Sequence, residues 1–205
     1  MNLWEHVRDV IQIYLHPGTD KRGVLVAQTQ APEFNSWFSR NVGPELFRHG
    51  LVGVYHQVFQ GLGLQNSLLS DMISRQVAVQ VNLLKVQEIA LRIIQSENIP
   101  CLLLKGLLLS ERLYDNLSVR PSSDVDILLP GKYFKQGVNL FLQNGFCEVR
   151  PIAGHFHATL SHPDLSGVVE LHHGLGDRVF PFDVEAIFSR SEGGLMEATD
   201  ELLYL

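Results

Sequence analysis

The apolar residues change their spacing at Asn98-Ile99-Pro100. Before that point they recur every three or four residues, the period of one helix face. After it they come in short runs broken by Gly, Pro and Asn, the texture of strands. A chain that carries the two textures one after the other is bound to an α+β architecture: a helical N-terminal part, then a small mixed β-sheet with flanking helices. The expected divisions are a helical region over 1–98, an α/β core over 99–190 and a tail over 191–205. A length of 205 residues is enough to bury a core without disulfide staples.

Within the first part, a helix is expected over 5–15, ended by His16-Pro17-Gly18. The mixed stretch 18–36 reads as loop. A second helix is expected over 44–59, with Gly61 and Gly63 at its end and Gly53 counting against it. The longest runs over 67–96, where Leu69, Ile73, Val77, Leu84 and Leu91 form a stripe and Glu88 pairs with Arg92 one turn on.

Downstream, a strand over 101–105 leads into a helix over 106–114. A strand over 125–129 precedes a helix over 132–143 that turns Phe134, Val138 and Phe141 or Leu142 inward and ends at Asn144-Gly145. Strands follow over 146–150, 155–161 and 167–172, the last two joined by a turn at Pro163-Asp164. Residues 199–205 read as the start of a helix too short to stand alone. It either docks on the body or continues in a longer parent fold.

Composition excludes several classes. The 16 basic residues against 22 acidic give a net charge of −6, which argues against a nucleic-acid partner. No apolar run approaches 18 residues and no basic segment leads an apolar one, so the expectation is no membrane contact and a cytoplasmic protein. Cys101 and Cys147 lack CxxC spacing and read as buried thiols in a reducing compartment. A charged fraction of only 19% with an apolar tail fits a buried contact such as a homodimer.

The sharpest local pattern is Asp124-Val125-Asp126-Ile127-Leu128-Leu129. On a strand, alternation puts Asp124 and Asp126 on one face, about 7 Å apart. A divalent cation turns their repulsion into coordination, and hard oxygens suit magnesium or manganese. A solvated strand start would show the same two residues. Glu170 adds an acid among apolar strand residues, costly there unless paired or metal-bound, unless it faces outward from an edge strand. Leu104-Lys105-Gly106 falls where a strand turns into a helix. Glycine there admits a close ligand, the helix N-terminus suits a phosphate, and Lys105 adds a charge. Arg120, just before Pro121, has the fork to grip a phosphate, or is a surface arginine.

In order, Leu104-Lys105-Gly106, Leu113-Tyr114, Arg120-Pro121, Asp124-Val125-Asp126-Ile127-Leu128, Gly145-Phe146 and Glu170-Leu171-His172 resemble the uncharacterised nucleotidyltransferase family of the DNA polymerase beta-like superfamily. The resemblance covers about 99–175; the helical region matches in character only. It implies a nucleotidyltransferase-like fold in which Asp124, Asp126 and Glu170 are the catalytic carboxylates that hold Mg2+ or Mn2+. Lys105, Gly106 and Arg120 would bind the nucleotide. The implied reaction moves a nucleoside monophosphate from an NTP to an unknown hydroxyl acceptor and releases pyrophosphate. The superfamily's usual Gly-Ser turn is here Gly106-Leu107, so a hydroxyl that often touches the triphosphate is missing.

The histidines are read separately. His155 and His157 would share one face of a strand, while His172 and His173 face opposite ways. If the strands pair, His157 and His172 fall near Glu170. There they would orient a carboxylate, touch substrate or supply nitrogen to a transition metal; without such pairing they are surface or core residues. Two other functions compete with transfer: a degenerate module that binds nucleotide or a partner without turnover, and a DxD glycosyltransferase, which does not require Glu170 or the Lys105-Gly106 turn.

Overall fold

A computed structural model describes residues 1–114, 116–149, 156–175 and 183–191. The chain divides into two compact units. One holds residues 1–78 and Asn116–Pro121; the other holds the remaining described residues from Val79 onward.

The first unit is helical. Helix α1 (Leu3–Leu15) starts at Asn2, whose side chain accepts hydrogen bonds from the backbone of Trp4 and Glu5. Val7, Val10 and Ile13 line its buried face. The stretch expected as loop is instead largely helical: α2 (Lys21–Thr29), α3 (Phe34–Trp37) and a π-turn over Phe38–Val42. Gly23 and the β-branched residues of α2 argue locally against a helix. Packing of Leu25, 1% exposed, overrides that preference. In the π-turn the Gly43 N–H reaches back five residues to the Phe38 carbonyl, next to Pro44, which has no N–H to give.

The helix expected over 44–59 is two, α4 (Gly43–Arg48) and α5 (Val52–Gly61). They part at Gly50, whose φ of +65° ends α4, with the Leu51 N–H bonded to the Leu46 carbonyl. Gly53 is required despite its low helix propensity. A Cβ there would lie 2.0 Å from the Ser118 carbonyl oxygen, because the segment Asn116–Pro121 lies against α5. The core holds Phe34, Phe38, Tyr55 and Phe59, whose paired ring centroids stand 5.6–6.5 Å apart.

Helix α6 (Ser67–Gln95) gives its first residues to this unit and the rest to the second. Its buried positions are Leu69, Ile73, Gln80, Leu83, Val86, Ala90, Ile93 and Ile94. Val77, expected in the stripe, is 42% exposed, and Leu84 and Leu91 are only partly covered. A seven-residue repeat drifts about 20° per heptad off an α-helix face, so the true face advances by threes and fours through a glutamine. The expected Glu88–Arg92 pair is present on the exposed side.

The second unit is built on a five-stranded sheet among the described residues: β1 (Leu102–Leu103), β2 (Asp124–Leu128), β3 (Cys147–Glu148), β4 (His157–Ser161) and β5 (Val168–His172), in the order β1-β2-β5-β4-β3. β2 and β5 run parallel and every other pair antiparallel, so the sheet is mixed. The outer strands are shorter than their apolar runs. Helices α7 (Leu107–Tyr114), α8 (Phe134–Gln143, after a 3-10 turn over Gly131–Tyr133) and α9 (Val184–Arg190) complete the unit.

One sheet face is apolar: Val125, Ile127, Ala158, Leu160, Val169 and Leu171 are all buried. Helix α8 comes so close at Gly137 that a Cβ there would meet Leu129 Cδ1 at 2.5 Å. Its inward residues are Gly137 and Phe141; Leu142 is 43% exposed. Cys147 is exposed and Cys101 only partly covered, against the expectation of two buried thiols. Cys147 lies on the strand at the sheet's margin, where one side chain in two faces solvent. The expected helix start at 199–205 lies outside the described residues. No described helix is long and apolar enough to cross a membrane.

Candidate active site

The second face of the sheet carries the polar residues. The parallel register of β2 and β5 sets Asp126 opposite Glu170 and Leu128 opposite His172. Across β5 and β4, Glu170 faces Thr159 and His172 faces His157. Side chains that are register partners, or two apart on one strand, share a face. Asp124, Asp126, Glu170, His172, Thr159 and His157 therefore emerge on one side. Leu128, on the same side, packs with Leu102, Leu104, Leu175 and Ile187 and closes that end with apolar surface.

The centre of the face is tight. Asp126 is 5% exposed and His172 3%. His172 Nε2 lies 3.0 Å from Asp126 Oδ1 and 3.6 Å from Glu170 Oε2. His157 Nε2 stands 3.9 Å from Glu170 Oε2, and the two imidazole centroids are 5.1 Å apart. Thr159 donates to Glu170 Oε1 at 3.3 Å. Donor atoms of Asp126, Glu170 and His172 all lie within 4.8 Å of one another, a spacing one metal ion can span.

Asp124 is not a member of that closest group, but it feels the charges. Its carboxyl is held above the usual aspartate value, first by burial and then by the charges of Asp126 and Glu170; a Ser123 hydrogen bond and Lys105 oppose the shift. Asp126 Oδ2 is buried and accepts no hydrogen bond among the described residues; the Lys105 ammonium is 3.9 Å away. A buried carboxylate oxygen with no donor is costly. This face of the sheet thus concentrates negative charge around an oxygen that a cation would satisfy.

Lys105 and Gly106 form the turn between β1 and α7. Gly106 has φ +71°, and a Cβ on it would meet Ser122 Oγ at 3.0 Å. Any other residue would be strained there and would fill the turn. The Leu104 N–H donates to the Asp126 carbonyl at 3.0 Å, which ties this turn to the strand of the acid pair. Arg120 falls in the segment Asn116–Pro121, which belongs to the helical unit. His155 lies outside the described residues.

Sequence reasoning overlooked three supporting residues. Ser122 Oγ donates to the Asp124 carbonyl at 3.2 Å. Gln80 on α6 bonds both ways with the Ser122 backbone: its amide donates to the carbonyl at 3.0 Å and its oxygen accepts from the N–H at 2.9 Å. That fixes the chain as it enters β2. Thr159 steadies Glu170. The readable signal was Gln80 itself, a polar residue on the buried face of a long helix.

No curated protein matches the chain. The family model described as "Uncharacterised nucleotidyltransferase" matches residues 46–205. That match begins more than fifty residues before the stretch in which the motifs are readable, so α5 and α6 belong to the family pattern as well as the sheet. With its mixed sheet, buried acidic face and a match over most of its length, the chain belongs to this uncharacterised family of nucleotidyltransferases.

Proposed function

We propose that the protein is a metal-dependent nucleotidyltransferase that passes a nucleoside monophosphate from an NTP to a hydroxyl acceptor. The observation that carries the reading is Asp126: a residue 5% exposed, whose Oδ2 accepts no hydrogen bond among the described residues, with two further acids on the same sheet face. Nucleotidyltransferases generally use divalent metals, and this donor set fits one. Asp124, Asp126 and Glu170 would hold Mg2+ or Mn2+. When bound, the cation supplies positive charge that lowers the pKa of an attacking hydroxyl and offsets charge on the phosphates.

The chain's own residues have distinct parts. Asp124 and Asp126 sit on one strand face, from which they would hold the cation. Glu170, steadied on Oε1 by Thr159, keeps contact with solvent and takes the acceptor's proton. The acceptor oxygen bonds to the α-phosphorus, the bond from that phosphorus to the bridging oxygen breaks, and pyrophosphate carries the electron pair away. Lys105 offers a point charge to the triphosphate, and Gly106 lets backbone approach it. Arg120 is proposed as a second phosphate contact. His157 orients Glu170, and His172 Nε2 lies 3.0 Å from Asp126 Oδ1.

A second reading has one observation in its favour: Leu107 stands where the superfamily carries a serine. Under it, the fold binds nucleotide without turnover. The test supplies each ribonucleoside triphosphate labelled at the α-phosphate, with Mg2+ or Mn2+, and a lysate as the source of acceptors. Label on an acceptor with matching pyrophosphate, both lost in a folded Asp126→Ala variant, is the expected result. Undiminished transfer by that variant overturns the assigned site. Nucleotide bound but never cleaved establishes the second reading instead.

A further inference from the structure

We infer that His172 is the nitrogen ligand in this cation site, so that the site selects a first-row transition ion, manganese in the first instance, over magnesium. The inference deepens the proposed function and rests on it for the presence of a cation.

The distances carry the argument. Ligand atoms about 2.1 Å from one metal stand about 3.0 Å apart at right angles and about 3.4 Å apart at tetrahedral angles. His172 Nε2 lies 3.0 Å from Asp126 Oδ1 and 3.6 Å from Glu170 Oε2, close to both spacings. A proton on Nε2 serves one carboxylate only, because 3.6 Å is beyond hydrogen-bond range. A cation among the three serves all of them, on a face where Lys105, 3.9 Å from Asp126 Oδ2, stands against more than one carboxylate. His172 Nδ1 has no hydrogen-bond partner among the described residues in either case, so it does not decide between them.

Position supports the same role. His172 is two residues beyond Glu170 on β5, and its register partner Leu128 is two beyond Asp126 on β2. The three donors are held by paired strands, and the imidazole is 3% exposed. Such a ring is not free to swing out of the way of an arriving ion.

Chemistry then sets the preference. Magnesium takes oxygen ligands in near-ideal octahedra and gives up water reluctantly. Imidazole nitrogen binds the later divalent ions increasingly well, and manganese accepts carboxylate and imidazole together. A nitrogen beside the carboxylates therefore favours manganese over magnesium by more than the carboxylates alone would.

The test uses Mn2+ itself as the probe on the full chain. Electron paramagnetic resonance of free Mn2+ gives the affinity, and competition gives the preference over Mg2+. Electron spin-echo modulation reads nitrogen in the first coordination sphere. The expected result is a 14N modulation that changes to the 15N pattern when the protein is grown on 15N-histidine. It vanishes in His172→Ala and survives in His157→Ala. The preference for Mn2+ narrows about 10–100-fold in His172→Ala. The isotope exchange needs no variant, so a folding failure of His172→Ala does not shield the inference. Bound Mn2+ with no nitrogen modulation, or a modulation lost in His157→Ala and kept in His172→Ala, overturns it. Label transfer with an oxygen-only site refutes this inference and leaves the transferase reading standing; a nitrogen-bound ion with no transfer does the reverse.

Discussion

Each unit of the molecule buries an aspartate, and each has a histidine nearby in its core, but the charge is handled in opposite ways. In the helical unit Asp9 is 6% exposed and lies 3.4 Å from the Lys21 ammonium and 3.7 Å from the Arg8 guanidinium. His6 Nδ1 bonds to Gln28 at 2.9 Å, and its ring lies among Phe34, Trp37 and Tyr55. In the sheet unit Asp126 is 5% exposed, with Lys105 at 3.9 Å and Glu170 and Asp124 on its own face. Asp9 Oδ1, like Asp126 Oδ2, accepts no hydrogen bond among the described residues, but two cations of its own unit balance the first cluster. The second gathers more acid than base. Burying an uncompensated charge costs several kcal/mol, and a fold that keeps one is built around a species that balances it. Charge balance, rather than burial, separates a structural polar cluster from a candidate site.

The largest effects test that contrast directly. Asp126→Asn keeps the shape and removes the charge. Transfer should fall about 1000-fold or more, several kcal/mol of transition-state stabilisation, while the unfolding midpoint holds or rises. Asp9→Asn should do the converse: unchanged transfer and a stability loss of about 1–3 kcal/mol in urea. If Asp9→Asn silences transfer and Asp126→Asn merely loosens the fold, the contrast is drawn the wrong way round.

Next in size is Lys105, whose ammonium lies 3.9 Å from Asp126 Oδ2 and whose side chain is 39% exposed. Lys105→Ala should weaken binding of a nonhydrolysable NTP about 10–100-fold, the worth of one or two charge-assisted hydrogen bonds. Cation affinity should change less. Calorimetry that finds the opposite order would make Lys105 a partner of Asp126 rather than of the triphosphate.

The legible parts of the molecule were those whose cause is local. Strand alternation was enough to put Asp124 and Asp126 on one face, and the parallel pairing of β2 with β5, which sets Glu170 opposite Asp126, could not be read from either strand alone. The glycine bend at Gly106 and the stop at Asn98, with φ +53°, were readable because few residues adopt that backbone. What escaped depends on distant partners. Helix α2 exists because Leu25 finds a core, not because its residues favour a helix. The face of α6 was misplaced because Gln80, a polar residue, belongs to it and holds Ser122. Cys147 is exposed because its strand lies at the margin, a fact of sheet order that composition does not contain.

Asp124 sharpens the contrast through stability. Burial and the charges of Asp126 and Glu170 hold its carboxyl above the usual value. A group whose folded pKa is raised favours the fold below its unfolded pKa and loses that contribution as pH rises through the folded value. At neutral pH the ionised side chain is therefore a liability to the metal-free protein. Asp124→Asn should raise its unfolding midpoint by up to about 4 °C. The same variant should bind Mn2+ more weakly, since a balancing charge has been taken from the site. A midpoint that falls in the metal-free variant would mean that the charge of Asp124 is balanced within the chain, as that of Asp9 is.

The smallest effect lies with His6. Burial pushes its pKa below the usual histidine value of 6.5, and the hydrogen bond to Gln28 and the charge of Asp9 only partly offset that. Here the sign is opposite to that of Asp124. The unfolded chain takes up a proton near pH 6.5 that the folded core refuses, so the contribution is complete above that pH and is lost as pH falls. Between pH 7 and 5.5 the loss attributable to His6 should be at most about 1 kcal/mol. His6→Asn places an amide where Nδ1 stands and does not titrate. It should lower stability at both pH values, since the ring contacts go, and should reduce the difference between them. If urea unfolding shows the same pH difference with and without the imidazole, the helical core tolerates a charged His6. Its polar cluster would then have to be counted with the sheet's acidic face as a place where the fold leaves charge to be balanced from outside.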